Sequence, residues 1–249
     1  PEMHAKRINI SASRLCMPPF PEKAFVKAVE TLVGLEHAWI PPKKGSAMYI
    51  RPFMFAMDAF LGVRPSHTYK FVILTLPVGP YYTKPVSLKA DSHYVRAIEG
   101  GVGEAKAAGN YAAAMYPTQL ANDEGYDQVM WLDGKNFKNI QEVGTMNIFF
   151  VIDGVLVTPA TDGAILKGIT RNSILTLMKS EGFPVEERII TIDEVVEAHK
   201  KGKLTEIFGS GTAAVVSKVH RLHYNGYNID LDVTQYKIAN HIYDSINSV

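Results

Sequence analysis

One cysteine, Cys16, in 249 residues excludes an internal disulfide framework and a cysteine metal cluster, and it fits a reducing compartment. An excess of either charge is also missing. The 26 Lys and Arg against 25 Asp and Glu leave a formal net charge of +1, with no block of like charge, so a nucleic acid or other polyanion partner is not expected. No apolar run approaches the roughly 20 residues that span a bilayer, and the opening "PEMHAKRINI" lacks the apolar stretch of a secretory signal. Repeats and low-complexity tracts are absent too. The expectation is a globular protein of the cytoplasm or an organelle matrix, with no membrane partner and no metal site.

Against these absences, 47% of the residues are hydrophobic, enough for a sizeable core. Met3 to Leu15 can form a helix. In "PEKAFVKAVETLVGLEHAWI", Pro21 suits a first turn, and Phe25, Val26, Val29, Leu32 and Val33 recur at helical spacing. "SAMYIRPFMFAMD" and "YKFVILTLPVG" read as strands. The run "PVGPYYTKP", with three prolines and a glycine, reads as a linker. It divides a domain over 1–79 from one over 86–249, joined by a loop at 80–85. In the second domain a helix is predicted from about Lys106 to Asn122, then a strand over "YDQVMWLD". Strands turning at Asp153-Gly154 follow, then a helix ending at Gly182. A strand, a helix, two strands about a tight turn and a closing helix over "DVTQYKIANHIYDSINS" complete an α/β or α+β mixed chain.

Within "GGVGEAKAAGNYAAAMYP" a single lysine, Lys106, stands among the smallest residues, with Tyr111 five positions on. A solvated lysine gains nothing from such neighbours, which suit the close approach of a planar ligand or another backbone. An amine that attacks a carbonyl has to be neutral, which calls for a partly desolvated setting. The same stretch fits neither a dinucleotide fingerprint nor a phosphate loop.

"GGVGEAKAAGNYAAAM", "WLDG", "IQEVGTMNIFFV", "ILKGITRNSIL" and "FGSGTAAVV" follow one another as in the branched-chain amino acid aminotransferases, which the chain resembles from Pro1 to Val249. The resemblance implies the fold type IV architecture of pyridoxal-phosphate enzymes, with a small N-terminal and a larger C-terminal domain. It implies pyridoxal 5'-phosphate as cofactor, branched-chain amino acids and 2-oxo acids as substrates, and a homodimer. Lys106 is then the lysine that bonds the cofactor and carries the substrate proton. Tyr111 faces the cofactor's phenolic oxygen and Glu142 its pyridine nitrogen. The remaining cofactor contacts implied are Arg7, Thr145, Leu166, Gly168, Ile169, Thr170, Gly211 and Thr212. Of these, Gly168, Ile169 and Thr170 open a helix whose free N–H groups favour an anion, and Arg7 would grip phosphate as a fork. Around the substrate it implies Tyr49, Arg51, Tyr81, Thr145, Thr212 and Ala213.

Two departures from the family stand out. Mammalian members carry two cysteines just after the "GTA" turn, where this chain has Ala214 and Ser217; a thiol switch is therefore not expected. Members also have further sequence before the segment matching Pro1, so the small domain is expected to be incomplete in this stretch. The reaction implied moves the amino group of leucine, isoleucine or valine to 2-oxoglutarate in a ping-pong cycle. The same fold hosts D-amino acid aminotransferases and an aminodeoxychorismate lyase. A catalytically silent fragment serving as a binding or assembly module is the alternative of another class.

Overall fold

Consecutive apolar residues in "NIFFVI" (147–152) ask for a strand buried on both faces, and the computed structural model, which describes residues 1–43, 45–79, 84–213 and 215–248, buries this strand between two neighbours. The contacts divide the chain into Pro1–Tyr81 and Tyr82–Val249.

In the first unit, α1 (Glu2–Arg14) and α2 (Glu22–Leu35) accompany an antiparallel pair, β1 (Ala47–Ala56) and β2 (Tyr69–Val78), in register from Ala47 opposite Val78 to Ala56 opposite Tyr69. Phe25 is its only large apolar side chain fully covered among the described residues, and it meets Phe71 of β2 at 5.8 Å between ring centres. The helix expected to run on through Trp39 stops at Leu35, and His37–Trp39 form a separate 3-10 turn.

The second unit holds a nine-stranded sheet. Its strands are β3 (Val86–Ala90), β4 (Gln128–Leu132), β5 (Ile140–Val143), β6 (Asn147–Ile152), β7 (Val155–Pro159), β8 (Val185–Arg188), β9 (Leu204–Ser210), β10 (Ser217–Tyr224) and β11 (Tyr227–Asp230). They run in the order β5-β4-β3-β10-β9-β6-β7-β8, with β11 beside β10. Helices α3 (Ala108–Asp123), α4 (Ile169–Ser180), α5 (Ile192–Lys200) and α6 (Ile238–Asn247) cover it. The class is the expected α/β mixture. β11 and a 3-10 turn at Val233–Gln235 were not foreseen, and the closing helix starts only at Ile238. The reason is Glu206 of β9: its carboxylate accepts from the backbone N–H groups of Lys237, Ile238 and Ala239 at 2.7, 2.9 and 2.8 Å, which satisfies and fixes the start of α6.

The sheet folds back on itself. β5 and β6 are joined by the tight turn at Gly144-Thr145 and bridge only at Val143–Met146 before separating. β9 and β10 pair only at Gly209 with Ser217 and Phe208 with Lys218. Past that point the Tyr236 hydroxyl donates to the Val219 carbonyl oxygen at 2.7 Å and accepts from the Ile207 N–H at 3.1 Å. Alternate residues of each strand therefore serve different cores. Ile148 and Phe150 join Leu88, Met130 and Leu222 on one side, while Phe149 and Val151 join Phe208, Ile174 and Ile242 under α4 and α6. Each such buried side chain contributes about 1.5–3 kcal/mol. Asp153-Gly154 make the expected two-residue turn between β6 and β7, with φ of 51° and 79°. No described helix is long and apolar enough to cross a membrane, and no described group of His, Cys, Asp or Glu could hold a metal ion.

Candidate functional site

Lys106 lies just before α3 rather than in its first turn. The helix begins at Ala108, with Ala107 extended at its N-cap. Asn110 explains the difference: its side-chain amide donates to the carbonyl oxygens of Val102 and Ala105 at 2.8 and 2.9 Å, holding the lysine loop as a coil against the helix. Lys106 Nζ donates to the Tyr111 hydroxyl at 3.0 Å. The partly desolvated amine expected from the sequence is not what the structure shows, because Lys106 is exposed. The small neighbours have separate reasons. A Cβ on Gly103 would come within 2.3 Å of the Ala164 carbonyl oxygen, whereas one on Gly109 would meet nothing. Gly103 thus permits the close approach of another backbone.

Tyr111 faces a small hollow of about 20 Å³, lined also by Arg96, Glu142, Thr145 and Leu166. Glu142 sits on β5 opposite Trp131. Although β5 is the end strand of the order, the side chain is buried, since the fold-back covers it. One carboxylate oxygen accepts from the Leu166 N–H at 2.7 Å and the other lies 3.2 Å from Arg96 Nε. Burial pushes its pKa up from the usual 4.5 to about 7, against the pull of the Arg96 charge, the Leu166 N–H and the Lys106 charge. A carboxyl so poised would return to its charged form beside a cation.

Two turns and a helix start gather at the same end of the sheet. Gly144, at φ +53°, packs so closely on Gln128 that a Cβ would meet its side-chain oxygen at 2.3 Å; the buried Trp131 indole donates to its carbonyl oxygen at 2.9 Å. Thr145 is left exposed beside it. The register of Asn147 with Ser210 and of Ile148 with Gly209 brings the turn containing Gly211, Thr212 and Ala213 alongside the start of β6. A Cβ on Gly209 would press on Met146 at 2.8 Å. Asn147 donates to the Leu166 carbonyl oxygen at 2.9 Å, and its oxygen stands where a Cβ on Gly168 would be. Gly168 is the N-cap of α4, and no side chain caps it. The first-turn N–H groups over Ile169 and Thr170 therefore form the kind of end that receives an anion.

The structure thus brings Tyr111, Glu142, Thr145 and Leu166 around one hollow, with Lys106 bonded to Tyr111 and Gly168 joined through Asn147. Arg7, Tyr49 and Arg51 belong to the first unit. There Arg7 is half-buried on α1, and Arg51 donates to the Tyr49 hydroxyl at 3.1 Å along β1. Tyr81 and Ala214 lie outside the described residues. Arg96, Asn110 and Asn147 are parts of the site that the sequence reading passed over. The one local signal was a polar Asn110 in an otherwise Gly/Ala helix start.

The donor set fits pyridoxal phosphate. Lys106 would bond its aldehyde, Tyr111 would meet the phenolic oxygen, Glu142 would meet the ring nitrogen, and the α4 start would hold the phosphate. The cradle around Gly168, filled from behind by Asn147, leaves that helix end open to an anion.

The Amino-transferase class IV family model matches residues 1–222. A Bacillus subtilis protein named branched-chain-amino-acid aminotransferase 2 is 47% identical over 253 residues, covering 100% of this chain and 70% of its own length. A branched-chain aminotransferase from Thermoproteus uzoniensis with norvaline superposes at a TM-score of 0.83 and 25% identity, over 99% of this chain and 77% of that one. The Escherichia coli branched-chain amino acid aminotransferase gives 0.80 and 25%, over 100% and 77%. With its lysine, carboxylate and helix start arranged as described, this chain belongs to the class IV aminotransferases.

Proposed function

We propose that the chain works with pyridoxal 5'-phosphate as a branched-chain amino acid aminotransferase, passing the amino group of leucine, isoleucine or valine to 2-oxoglutarate. The observation that carries this reading is the meeting, around one hollow, of the Lys106–Tyr111 pair and the buried Glu142 with the loop that leads into α4. Two relatives support the substrate class: the Bacillus subtilis protein by its name and the Thermoproteus uzoniensis structure by its bound norvaline.

When bound, pyridoxal phosphate supplies an aldehyde that receives the amino group and a ring that draws electrons from the substrate Cα. The rest falls to the chain. Lys106 holds the cofactor between turnovers and, once displaced, takes and returns the proton at Cα. Because Lys106 donates to the Tyr111 oxygen, the Tyr111 proton is available to a phenolic oxygen. Glu142, steadied by the Leu166 N–H, keeps the ring nitrogen protonated. Phosphate is bound by Gly168, Ile169, Thr170 and Thr212, with Arg7 assigned to it as well. Thr212 and Ala213, after Gly211, offer N–H groups to the substrate carboxylate. By the family resemblance, Tyr49, Arg51, Tyr81 and Thr145 are assigned to the substrate side chain. One methylene in an apolar pocket discriminates by only about 1–3 kcal/mol, so leucine, isoleucine and valine all react.

Adding pyridoxal phosphate should give a visible absorbance band that leucine bleaches, and borohydride should then fix the cofactor on the Lys106 peptide. A label on another lysine removes the assignment. Bleaching by D-alanine but not by leucine moves the chain to a D-amino acid reaction.

A further inference from the structure

Arg96 lies between β3 and the lysine loop, and separate pieces of the candidate site meet on its buried guanidinium. Nε stands 3.2 Å from Glu142, with only 7% and 4% of the two side chains exposed. Nη2 donates to the Ala164 carbonyl oxygen and, at 3.4 Å, to that of Gly103. Gly103 lies three residues before Lys106, and Ala164 two before Leu166, whose N–H holds the other oxygen of Glu142. The 103 and 164 backbones touch so closely that only glycine fits at 103, and the fork of Arg96 spans that junction. A lysine ammonium, a point charge on a flexible stem, could balance the carboxylate without spanning it.

We infer that Arg96 is a positioning residue of the transamination chemistry: it keeps Glu142 charged and aimed into the hollow, and it ties that carboxylate to the lysine loop. This rests on the cofactor reading above, in which Glu142 faces the ring nitrogen. Three charged groups bear on Glu142. Arg96 and Lys106 favour its carboxylate form, and Asp162 opposes it. Only Arg96 is both buried and in ion-pair contact with it. A buried carboxylate without its counter-ion takes up a proton, and a neutral acid does not hold a protonated ring nitrogen. Removing Arg96 would therefore act on the cofactor's electronics while leaving substrate contacts alone.

The test compares R96M, R96K and R96M/E142Q with the unaltered chain in two preparations. Without cofactor, R96M should lower the unfolding midpoint more at about pH 8.5 than at about pH 5.5, because at the higher pH the folded chain must either bury Glu142 as an unpaired charge or take a proton from a solution poor in them, and each costs stability; the double variant should lose equally at both. This arm reads the ion pair whether or not pyridoxal phosphate binds. With pyridoxal phosphate, R96M should lower kcat for leucine by about tenfold or more, the equivalent of one pKa unit at Glu142. KM should stay within about threefold, as for an interaction that acts on the chemical step, and the pH midpoint of the visible band should move. R96K should restore that midpoint and only part of kcat. Losses in R96M that do not depend on pH, beside an unmoved midpoint, overturn the inference and leave the cofactor reading standing. No band in the unaltered chain overturns the cofactor reading, while the first arm still decides the ion pair. If R96M yields no folded protein, R96K decides, and an R96K variant equal to the unaltered chain in kcat and midpoint overturns the inference.

Discussion

Glu142 makes the strongest electrostatic demand on the fold. Its pKa lies at about 7 in the folded chain against an ordinary 4.5, so folding binds a proton between those values. The sign follows: this group's contribution is fully present below about pH 4.5 and is lost as pH rises through about 7. The loss amounts to about 3 kcal/mol at most. Unfolding midpoints of the cofactor-free protein, followed across this range, should fall less steeply with pH in E142Q than in the unaltered chain, and parallel profiles would remove the burial argument. Lys106 stood out in the sequence as a lone amine among glycines and alanines, whereas Glu142 entered only through the family resemblance, since a carboxylate in a strand-rich stretch reads by itself as a solvated edge residue. Arg96 and Asn147 were not legible, because their contacts are made by the tertiary fold, whereas Asn110 bonds backbone only eight and five residues away and was passed over. Arg96 meets Ala164 across 68 residues and Asn147 meets Leu166 across 19, and nothing beside them in the chain marks those partners. The exposure of Lys106 was missed for a related reason: small neighbours describe room, and whether that room is filled depends on what packs there.

Among the elements, α6 depends on a side chain from elsewhere. Glu206 supplies the acceptors for three N–H groups at its start, doing from β9 what an N-cap residue does locally. E206A should cost about 2–3 kcal/mol, with one buried and two part-buried donors left without their acceptor, and should lower the unfolding midpoint by about 5–10 °C for a chain of this size. E206Q, which keeps the shape and one acceptor oxygen, should lose part of this, and calorimetry showing E206Q equal to the unaltered chain would assign the E206A loss to packing alone. This bond also explains the misread closing helix. Helical periodicity runs through "VTQYKIANHIY" without a break, but Tyr236 turns inward to β9 and β10 and Glu206 restarts the helix after it. By contrast, the Asp153-Gly154 turn and the amphipathic α2 were legible, since each is specified by residues within a few positions of one another.

In the molecule as a whole, the α/β mixture was evident from alternating helical and strand patterns, but the fold-back of the sheet was not, because strand order is set by pairings such as β3 with β10 across more than a hundred residues. The pairing of two chains, which the resemblance implies, is checked by sedimentation: at micromolar concentration the mass should be twice the 27.5 kDa of one chain, and a mass of 27.5 kDa would contradict it. Within one chain, β9 and β10, the strands on either side of the turn that holds Thr212, part company just beyond the site, and where they part a single phenol answers both a stranded amide and a stranded carbonyl. The gap that curls the sheet is thereby closed with one oxygen atom instead of a row of ladder bonds or a file of trapped waters. Any relative that opens the same gap without a tyrosine there has to find that oxygen somewhere else.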